Sequence, residues 1–174
     1  TYLGINTRLP KFSDVKTRQA LAHIIDIDRI IETLEYGLST KIIGPIHPSK
    51  TEDYNFEIKP YTYDIENAKH LLAGAGWKDS NGNGILDKEI NGELVEFNIN
   101  YSYNSGNEIR KSVGLILQEE ARKVGINVSV IPEEWSIYLE NLKNHEFEVF
   151  YGAWIAAPVP YDPKQIWHTE SYNG

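Results

Sequence analysis

The amino-acid sequence predicts an α/β fold, in which a mixed and partly parallel sheet is flanked by helices. Amphipathic helical patterns alternate with short strand-like segments along the chain, and this order produces crossovers between parallel strands. Residues that cap helices stand before most of the helical patterns. Hydrophobic residues make up 41% of the 174 residues, which is enough for a sizeable core. We therefore expect one domain over residues 1–174.

The first half of the chain predicts one strand, at residues 2–6, and three helices. Each helix follows a residue whose side-chain oxygen can accept a hydrogen bond from the free N–H groups of the first turn. The candidate caps are Ser13 or Asp14, Asp26 or Asp28, and Asp64. Gly37 closes the second helix. Residues 39–63 lack periodicity and contain three prolines, so we expect a long irregular segment, which is unusual unless it covers or builds a site.

The second half predicts three strands and two helices. A turn-rich hairpin over residues 79–92 contains three Asn-Gly dipeptides, which accept the positive φ of tight turns. The expected strands cover residues 95–101, 126–130 and 147–154. One helix runs from the cap Asn107 towards Gly125, and a shorter one covers residues 135–142. In such sheets, ligands bind beyond the carboxyl ends of the strands.

Aromatic residues accumulate at the predicted carboxyl ends. Trp135 opens a helix directly after a strand and Trp154 ends a strand, so ligand contact and core packing are equally compatible with both. Trp77 follows a helix end, and we expect it to pack in the core. A Tyr103–Asn104 loop is expected at the crevice edge, where both residues would offer hydrogen bonds to a solute.

Composition and charge exclude several classes of function. The 17 Lys and Arg residues are scattered among 25 Asp and Glu residues, for a net charge of −8, which argues against nucleic-acid binding. The absence of Cys excludes disulfides, thiolate zinc sites and cysteine nucleophiles. No apolar stretch reaches the roughly 20 residues that span a bilayer. Because the chain starts at Thr1 and contains no Met, we expect a processed chain or a piece of a longer one.

Enzyme signatures are scarce, so we expect no catalysis and no cofactor. The sequence has no nucleophile elbow, phosphate-binding glycine loop, dinucleotide fingerprint or zinc-binding His pair. Glu133 and Glu134 are adjacent carboxylates. Because the side chains of adjacent residues diverge in direction, a solvated loop is favoured over an acid/base pair.

One segment matches the start of an EF-hand calcium loop. Oxygen-bearing residues stand at positions 1, 3, 5 and 9 of that pattern, with glycine at position 6. They are Asp79, Asn81, Asn83 and Asp87. Ile90 stands at position 12, where the pattern requires a bidentate Glu. A simple turn before a strand is therefore favoured over a calcium site, unless Glu89 or Glu93 substitutes.

Several segments together resemble the family 5 extracellular solute-binding proteins of ABC importers, of the oligopeptide- and dipeptide-binding type. The resembling segments are residues 2–6, 12–21, 26–31, 44–46, 63–77, 125–128, 134–135 and 147–154. The resemblance covers nearly the whole chain. It implies a periplasmic-binding-protein-like lobe with a mixed, mostly parallel sheet flanked by helices. This chain would be a partial C-terminal-half lobe of a clamshell whose ligand lies between two lobes.

The resemblance also implies a function and a location. The protein would be the substrate-binding component of an ABC importer, which delivers a peptide or a similar solute to a membrane permease. It would act as a monomer, periplasmic or extracellular, anchored to the membrane as a lipoprotein in full length. The alternatives are a solute-sensing protein that reuses the same lobe, and a small enzyme with an aromatic pocket.

The same resemblance suggests the residues that contact the solute. Peptide-binding members have a Trp at the position of Trp135 and a Gly-Trp strand end that matches Trp154. Three residues later they have an Asp that pairs with the peptide α-amino group, where this chain has Ala157. Leu142 and Tyr151 replace basic residues that meet peptide carboxylates in some members. We expect contacts from Trp135, Tyr151, Trp154 and Ala157, and these replacements favour a longer blocked ligand, a sugar or another solute.

Overall fold

The computed structural model describes residues 1–153 together with Lys164 and His168, and it contains six strands and five α-helices within these residues. In chain order they are β1 (Tyr2–Ile5), α1 (Val15–His23), α2 (Ile27–Leu34), α3 (Ile65–Gly74), β2 (Asp87–Ile90), β3 (Glu93–Glu96), β4 (Asn98–Asn104), α4 (Glu108–Arg122), β5 (Asn127–Glu133), α5 (Trp135–Asn144) and β6 (Val149–Gly152). A short 3-10 turn at Pro10–Phe12 precedes α1.

Four of the strands form the central sheet, in the order β1, β6, β4, β5. β4 pairs in parallel with both β5 and β6, whereas β1 pairs antiparallel with β6. The helix α4 connects β4 to β5 and contacts both strands. The sheet is therefore mixed and mostly parallel with helices beside it, which confirms the predicted fold class.

Four of the five described helices, α1 to α4, begin directly after residues that the sequence predicts as caps, whereas α5 follows Glu134, which the sequence does not predict as a cap. Each capping side chain accepts a hydrogen bond from a backbone N–H of the first turn. The bonds are Asp14 to Lys16 N (2.7 Å), Asp26 to Arg29 N (3.0 Å), Asp64 to Asn67 N (2.9 Å) and Asn107 to Arg110 N (3.0 Å). Of Ser13 and Asp14, the structure selects Asp14, since Ser13 donates to the Pro10 carbonyl instead. Of Asp26 and Asp28, it selects Asp26, since Asp28 lies inside α2.

Residues 35–64 contain neither helix nor strand, which confirms the irregular segment predicted over residues 39–63. The segment starts where Gly37, at a φ of 72°, donates its N–H to the Ile31 carbonyl (2.9 Å) and closes α2. It ends where the Asp64 N–H donates to the His23 carbonyl (2.9 Å). Both ends are thus fixed to neighbouring helices by backbone hydrogen bonds.

The single strand predicted over residues 95–101 is wrong, because the structure divides it between β3 and β4 at Phe97. The Phe97 N–H donates to the Leu86 carbonyl (2.7 Å), and the Phe97 carbonyl accepts from the Asn127 N–H (3.1 Å). The chain therefore leaves the β2–β3 hairpin at this residue and enters the central sheet beside β5.

Two predicted boundaries also need correction. The hairpin occupies residues 87–96 rather than 79–92, and its turn is Asn91-Gly92, where both residues have positive φ. Residues 79–86 form a loop before it. The residues on either side of this loop, Lys78 and Asp87, pair in an isolated antiparallel bridge. The last described strand, β6, is shorter than the predicted strand 147–154 because it pairs only over Val149–Gly152.

Trp77 packs in the core, as the sequence predicts. Its side chain is 3% exposed, and its ring stacks on Phe97 with centroids 4.1 Å apart and planes 16° apart. The indole N–H donates to Thr17 Oγ1 (3.0 Å), which satisfies its polar atom inside the core. Trp77 therefore joins α1 to the residue at which the chain enters the central sheet.

Candidate functional site

The carboxyl ends of β4, β5 and β6 lie at one edge of the sheet, because the three strands are parallel neighbours. Asn104 is paired in register with Glu133 at this edge. Gly152 ends β6 there, opposite Tyr2 at the start of β1. The predicted site residues at positions 103, 104, 135 and 151 therefore come from adjacent segments of one edge.

Arg110 lies at this edge and is a residue that the sequence analysis missed. Its guanidinium lies over the ring of Tyr151, 5.3 Å from the centroid, and its Nη1 donates to Asn104 Oδ1 (2.6 Å). Its backbone carbonyl accepts from the hydroxyl of the buried Tyr101 (2.7 Å). The available signal was its position three residues after the cap Asn107, in the first turn of the helix that follows β4.

The charge of Arg110 has no carboxylate partner in the part of the chain that the structure describes. The ion pairs found within residues 1–153 use other cations: Lys11, Arg29, Lys41, Lys69, Lys111 and Lys123. A guanidinium held by an amide oxygen and an aromatic face keeps donors for a further oxygen acceptor. The edge therefore carries a positioned positive charge.

Trp135 is the first residue of α5 and is 51% exposed. Its ring stacks on Tyr138, with centroids 5.9 Å apart and planes 24° apart. Tyr138 is buried and its hydroxyl donates to the Tyr151 carbonyl (2.6 Å). Trp135 thus has one face packed on the protein and much of its surface free to contact a solute.

The tyrosines beneath this surface are neutral hydrogen-bond donors. Burial raises the pKa of Tyr138 to about 12, and burial also raises the pKa of Tyr101. Both hydroxyls donate to backbone carbonyls at the site edge. Neither hydroxyl ionises near neutral pH, so both remain donors. Their hydrogen bonds hold α4 and β6 in place.

The structure corrects the expected position of Tyr103 and Asn104, which lie in β4 and not in a loop. The pairing with β5 extends through both residues, so the strand continues to Asn104. Tyr103 is only 6% exposed and stacks on Tyr101, so most of its ring belongs to the core and not to the crevice edge. Asn104 is half-buried, and its oxygen is used by Arg110.

Two further predicted contacts, Trp154 and Ala157, lie outside the described residues. Tyr151 lies in β6 and is 7% exposed. Because the Arg110 guanidinium lies over its ring, little of the ring is left to contact a solute.

The adjacent carboxylates Glu133 and Glu134 diverge, as the sequence suggests, but the solvated loop expected here is wrong for Glu133, which is half-buried at the end of β5. Glu133 accepts from Ser102 Oγ (2.6 Å) and from Asn141 Nδ2 (3.1 Å). Glu134 caps α5 through Ser136, whose hydroxyl and backbone N–H lower the pKa of this carboxyl. Neither carboxylate is arranged with the other as an acid/base pair.

Open cavities also lie elsewhere in the described part of the chain. One, of about 590 Å³, lies at the opposite end of the strands, between residues 83–85, the end of α4 and the start of β5. The other, of about 280 Å³, lies against the polar face of β4 and β5 and includes Ser102 and Glu133.

Within residues 1–153, 164 and 168, no three His, Cys, Asp or Glu side chains form a group that could hold a metal. No helix there is long and apolar enough to cross a membrane.

The half-exposed Trp135 and the positioned Arg110 lie beyond the carboxyl ends of the strands, which is where open α/β sheets bind their ligands. The whole chain, residues 1–174, matches the family described as "Bacterial extracellular solute-binding proteins, family 5 Middle". The chain belongs to this family.

Two relatives, one of them with a solved structure, illustrate the match. The oligopeptide-binding protein AppA of Bacillus subtilis strain 168 is 33% identical over 171 residues, which are 97% of this chain and 31% of that protein. The structure of AppA in complex with a nonapeptide matches with a TM-score of 0.88 and 32% identity, over 98% of this chain and 34% of that one. Heme-binding protein A of Haemophilus influenzae is 31% identical over 153 residues, which are 88% of this chain and 26% of that protein. The chain thus spans about a third or less of the length of these relatives.

Proposed function

We propose that this chain forms most of one lobe, within the C-terminal half, of a two-lobed substrate-binding protein of an ABC importer. The protein would bind a peptide or a similar solute between its lobes and deliver it to a membrane permease. The observation that carries the proposal is the cluster of Trp135, Tyr151, Asn104 and Arg110 at one strand edge, in a chain similar to a protein solved with a nonapeptide.

Each residue of the cluster has a proposed role. Trp135 packs on apolar parts of the solute with its exposed surface. Arg110 binds an anionic group, since its charge has no carboxylate partner within residues 1–153. Asn104 and the Tyr151 ring hold the guanidinium in position. Trp154 and Ala157 remain proposed contacts on the basis of the family resemblance.

The positioned Arg110 supports a solute that carries a carboxylate. Peptides with a free C-terminus meet this requirement, although the basic residues of some family members are absent at Leu142 and Tyr151. The guanidinium fork suits bidentate binding of a carboxylate. Peptides are therefore favoured over uncharged oligosaccharides as the solute.

The remaining parts of the proposal concern partners and location. The named relatives are binding proteins, and the described residues offer no acid/base pair at the site edge, so we propose a role without catalysis. A net charge of −8 supports the absence of nucleic acid as a partner. We further propose a monomer that acts outside the cytoplasmic membrane, anchored as a lipoprotein in full length.

Calorimetric screening of the full-length protein tests the proposal. The panel contains peptides of two to nine residues with free or blocked ends, oligosaccharides, hemin and metal complexes. We expect micromolar or tighter binding of peptides, and we expect Trp135→Ala to weaken it at least tenfold with little change in melting temperature. Leu94→Ala, which alters an exposed apolar residue of β3, is the matched control. The proposal is wrong if no member of the panel binds to the folded protein.

A further inference from the structure

The loop over residues 79–87 lies far from the proposed solute site. The Leu86 N–H donates to the Gly125 carbonyl (2.8 Å), directly before β5 begins. The loop is therefore at the amino edge of the sheet, whereas the solute site is at the carboxyl edge. Any ligand of this loop would be independent of the solute.

The loop turns around the carboxylate of Asp79. Asp79 Oδ1 accepts from the N–H groups of Gly82 (2.8 Å) and Asn83 (3.1 Å), and Oδ2 accepts from Gly84 (3.0 Å). The Asn83 N–H also donates to Asn81 Oδ1 (3.0 Å). The oxygens of Asp79 and Asn81 are thus held against the same nitrogen, and each keeps a lone pair for a further partner.

Asp87 provides the observation that points to a ligand. This residue is 0% exposed, and its Oδ2 accepts from the N–H (2.9 Å) and the hydroxyl (2.7 Å) of Ser80. The carboxylate therefore contacts Ser80, the second residue of the loop. Its Oδ1 is buried without a hydrogen-bond partner, and no ion pair found within residues 1–153 includes Asp87. A buried carboxylate in this state is unfavourable unless a cation compensates its charge.

Glu96 provides the carboxylate that the linear pattern lacks. It lies directly opposite Asp87 in the β2–β3 hairpin, and its Oε1 accepts from Asn83 Nδ2 (2.8 Å). Position 12 of the pattern is Ile90, which cannot act as a ligand. The hairpin instead brings a Glu from the partner strand to the fifth residue of the loop.

We propose that residues 79–87 and Glu96 form a calcium site. The donors are the side-chain oxygens of Asp79, Asn81, Asn83 and Asp87, with Glu96 replacing the ligand of position 12. A set made only of oxygens suits Ca²⁺, whose coordination geometry is variable, whereas Mg²⁺ requires near-octahedral geometry. Half of the loop's own side-chain donors are neutral amides. Within residues 1–153, no three acidic side chains are gathered around one point before the ion binds, so calcium has to draw the carboxylates of Asp79, Asp87 and Glu96 together. The affinity is therefore of the weak class found in extracellular modules, about 10⁻⁴–10⁻³ M.

A calcium titration of the metal-free full-length protein tests the proposal, by calorimetry and by thermal melting. We expect a dissociation constant of about 10⁻⁴–10⁻³ M and a melting temperature about 2 °C or more higher at ten times that concentration. We expect the same concentration of MgCl₂ to give less than half of that shift. Equal responses to the two ions, or no response by the folded protein, would overturn the proposal.

Three variants separate a calcium ligand from a residue that matters only for folding. Asp87→Asn keeps the shape and the bond to Ser80, so we expect it to melt at or above the wild-type temperature without calcium and to lose the calcium-induced shift. Glu96→Gln is expected to weaken calcium binding at least fivefold, and it carries the test if Asp87→Asn does not fold. Glu93→Gln, in the same strand and exposed, should respond as the wild type does. A full calcium response of Glu96→Gln and of folded Asp87→Asn would contradict the assignment.

Discussion

Glu120 is the buried charge that connects three parts of the fold, and its removal is the sharpest stability test. Its side chain is 2% exposed. It accepts hydrogen bonds from Arg29 of α2 (3.0 Å), from Lys123 (2.7 and 2.8 Å) and from the hydroxyl of Tyr63 in the irregular segment. These partners outweigh desolvation, so the pKa of Glu120 lies below its ordinary value.

Replacing Glu120 by Gln removes the charge and sets an NH₂ donor against Lys123. Hydrogen bonds to a charged group contribute about 1.5–3 kcal/mol each, and bonds between neutral groups about 0.5–1.5 kcal/mol. The side chains of Arg29 and Lys123 are 39% and 44% exposed, so water solvates them after the change. The loss therefore stays below the roughly 3–5 kcal/mol of a trapped buried charge. We expect Glu120→Gln to lower the free energy of unfolding by about 2 kcal/mol.

Urea denaturation at neutral pH, followed by circular dichroism, measures this difference. The corresponding fall in melting temperature is about 4–8 °C. Glu119→Gln is the matched control, because Glu119 is the neighbouring residue, pairs with the same Arg29 and is 48% exposed. We expect no measurable change from the control. An unchanged midpoint for Glu120→Gln, or an equal loss for both variants, would refute the reasoning.

The lowered pKa of Glu120 predicts how the stability of the protein depends on pH. Because the folded pKa of Glu120 is lowered, its stabilising contribution is complete above the ordinary Glu pKa of about 4.3 and is lost as the pH falls through the folded value. The stability difference between wild type and Glu120→Gln should therefore shrink as the pH is lowered below about 4. A difference that persists undiminished at pH 2–3 in a still-folded protein would contradict this assignment.

Three further predictions concern the core and the site. Trp77→Ala removes a stacked, hydrogen-bonded ring and should lower stability by about 3–5 kcal/mol in urea denaturation. Gly114→Ala would place a Cβ 2.5 Å from the Tyr101 ring and should lower stability by about 1–3 kcal/mol in the same assay. Arg110→Gln should weaken calorimetric binding of peptides with a free C-terminus at least tenfold and leave peptides with an amidated C-terminus nearly unaffected.

Their controls are equally specific. In Gly74→Ala, the added Cβ would meet only the flexible end of the Lys16 side chain, 3.6 Å away. If this variant lost as much stability as Gly114→Ala, the loss would come from replacing any helical glycine and not from the contact with Tyr101. An equal loss of affinity for free and amidated peptides would show that Arg110 acts through the structure of the edge and not through a carboxylate.

Local signals allowed the helices to be predicted. The caps Asp14, Asp26, Asp64 and Asn107 act within their own first turns, so the sequence alone contains the information. The division at Phe97 could not be predicted, because the alternation of apolar residues continues through it without a break. Its cause is a pair of backbone bonds to Leu86 and Asn127, which only the assembled sheet defines.

The site was predictable in position more than in composition. The place of Trp135 followed from a strand that leads directly into a helix. Arg110 did not follow, because its contact with Tyr151 joins residues on α4 and β6 that only packing brings together. Tyr103 was misplaced because the length of β4 depends on its pairing with β5, which the residues of β4 do not encode by themselves.

The pairing of β1 with β6 has a consequence for the order of folding. Residues 2–5 pair with residues 149–152, and the Asn6 side chain donates to carbonyls 139 and 141 positions later in the chain. During synthesis, β1 leaves the ribosome long before its only sheet neighbour among the described strands exists. Such a high contact order slows folding and leaves a strand edge open to other chains in the interval. A nascent chain that stops short of β6 therefore lacks the segment that closes this edge of the sheet.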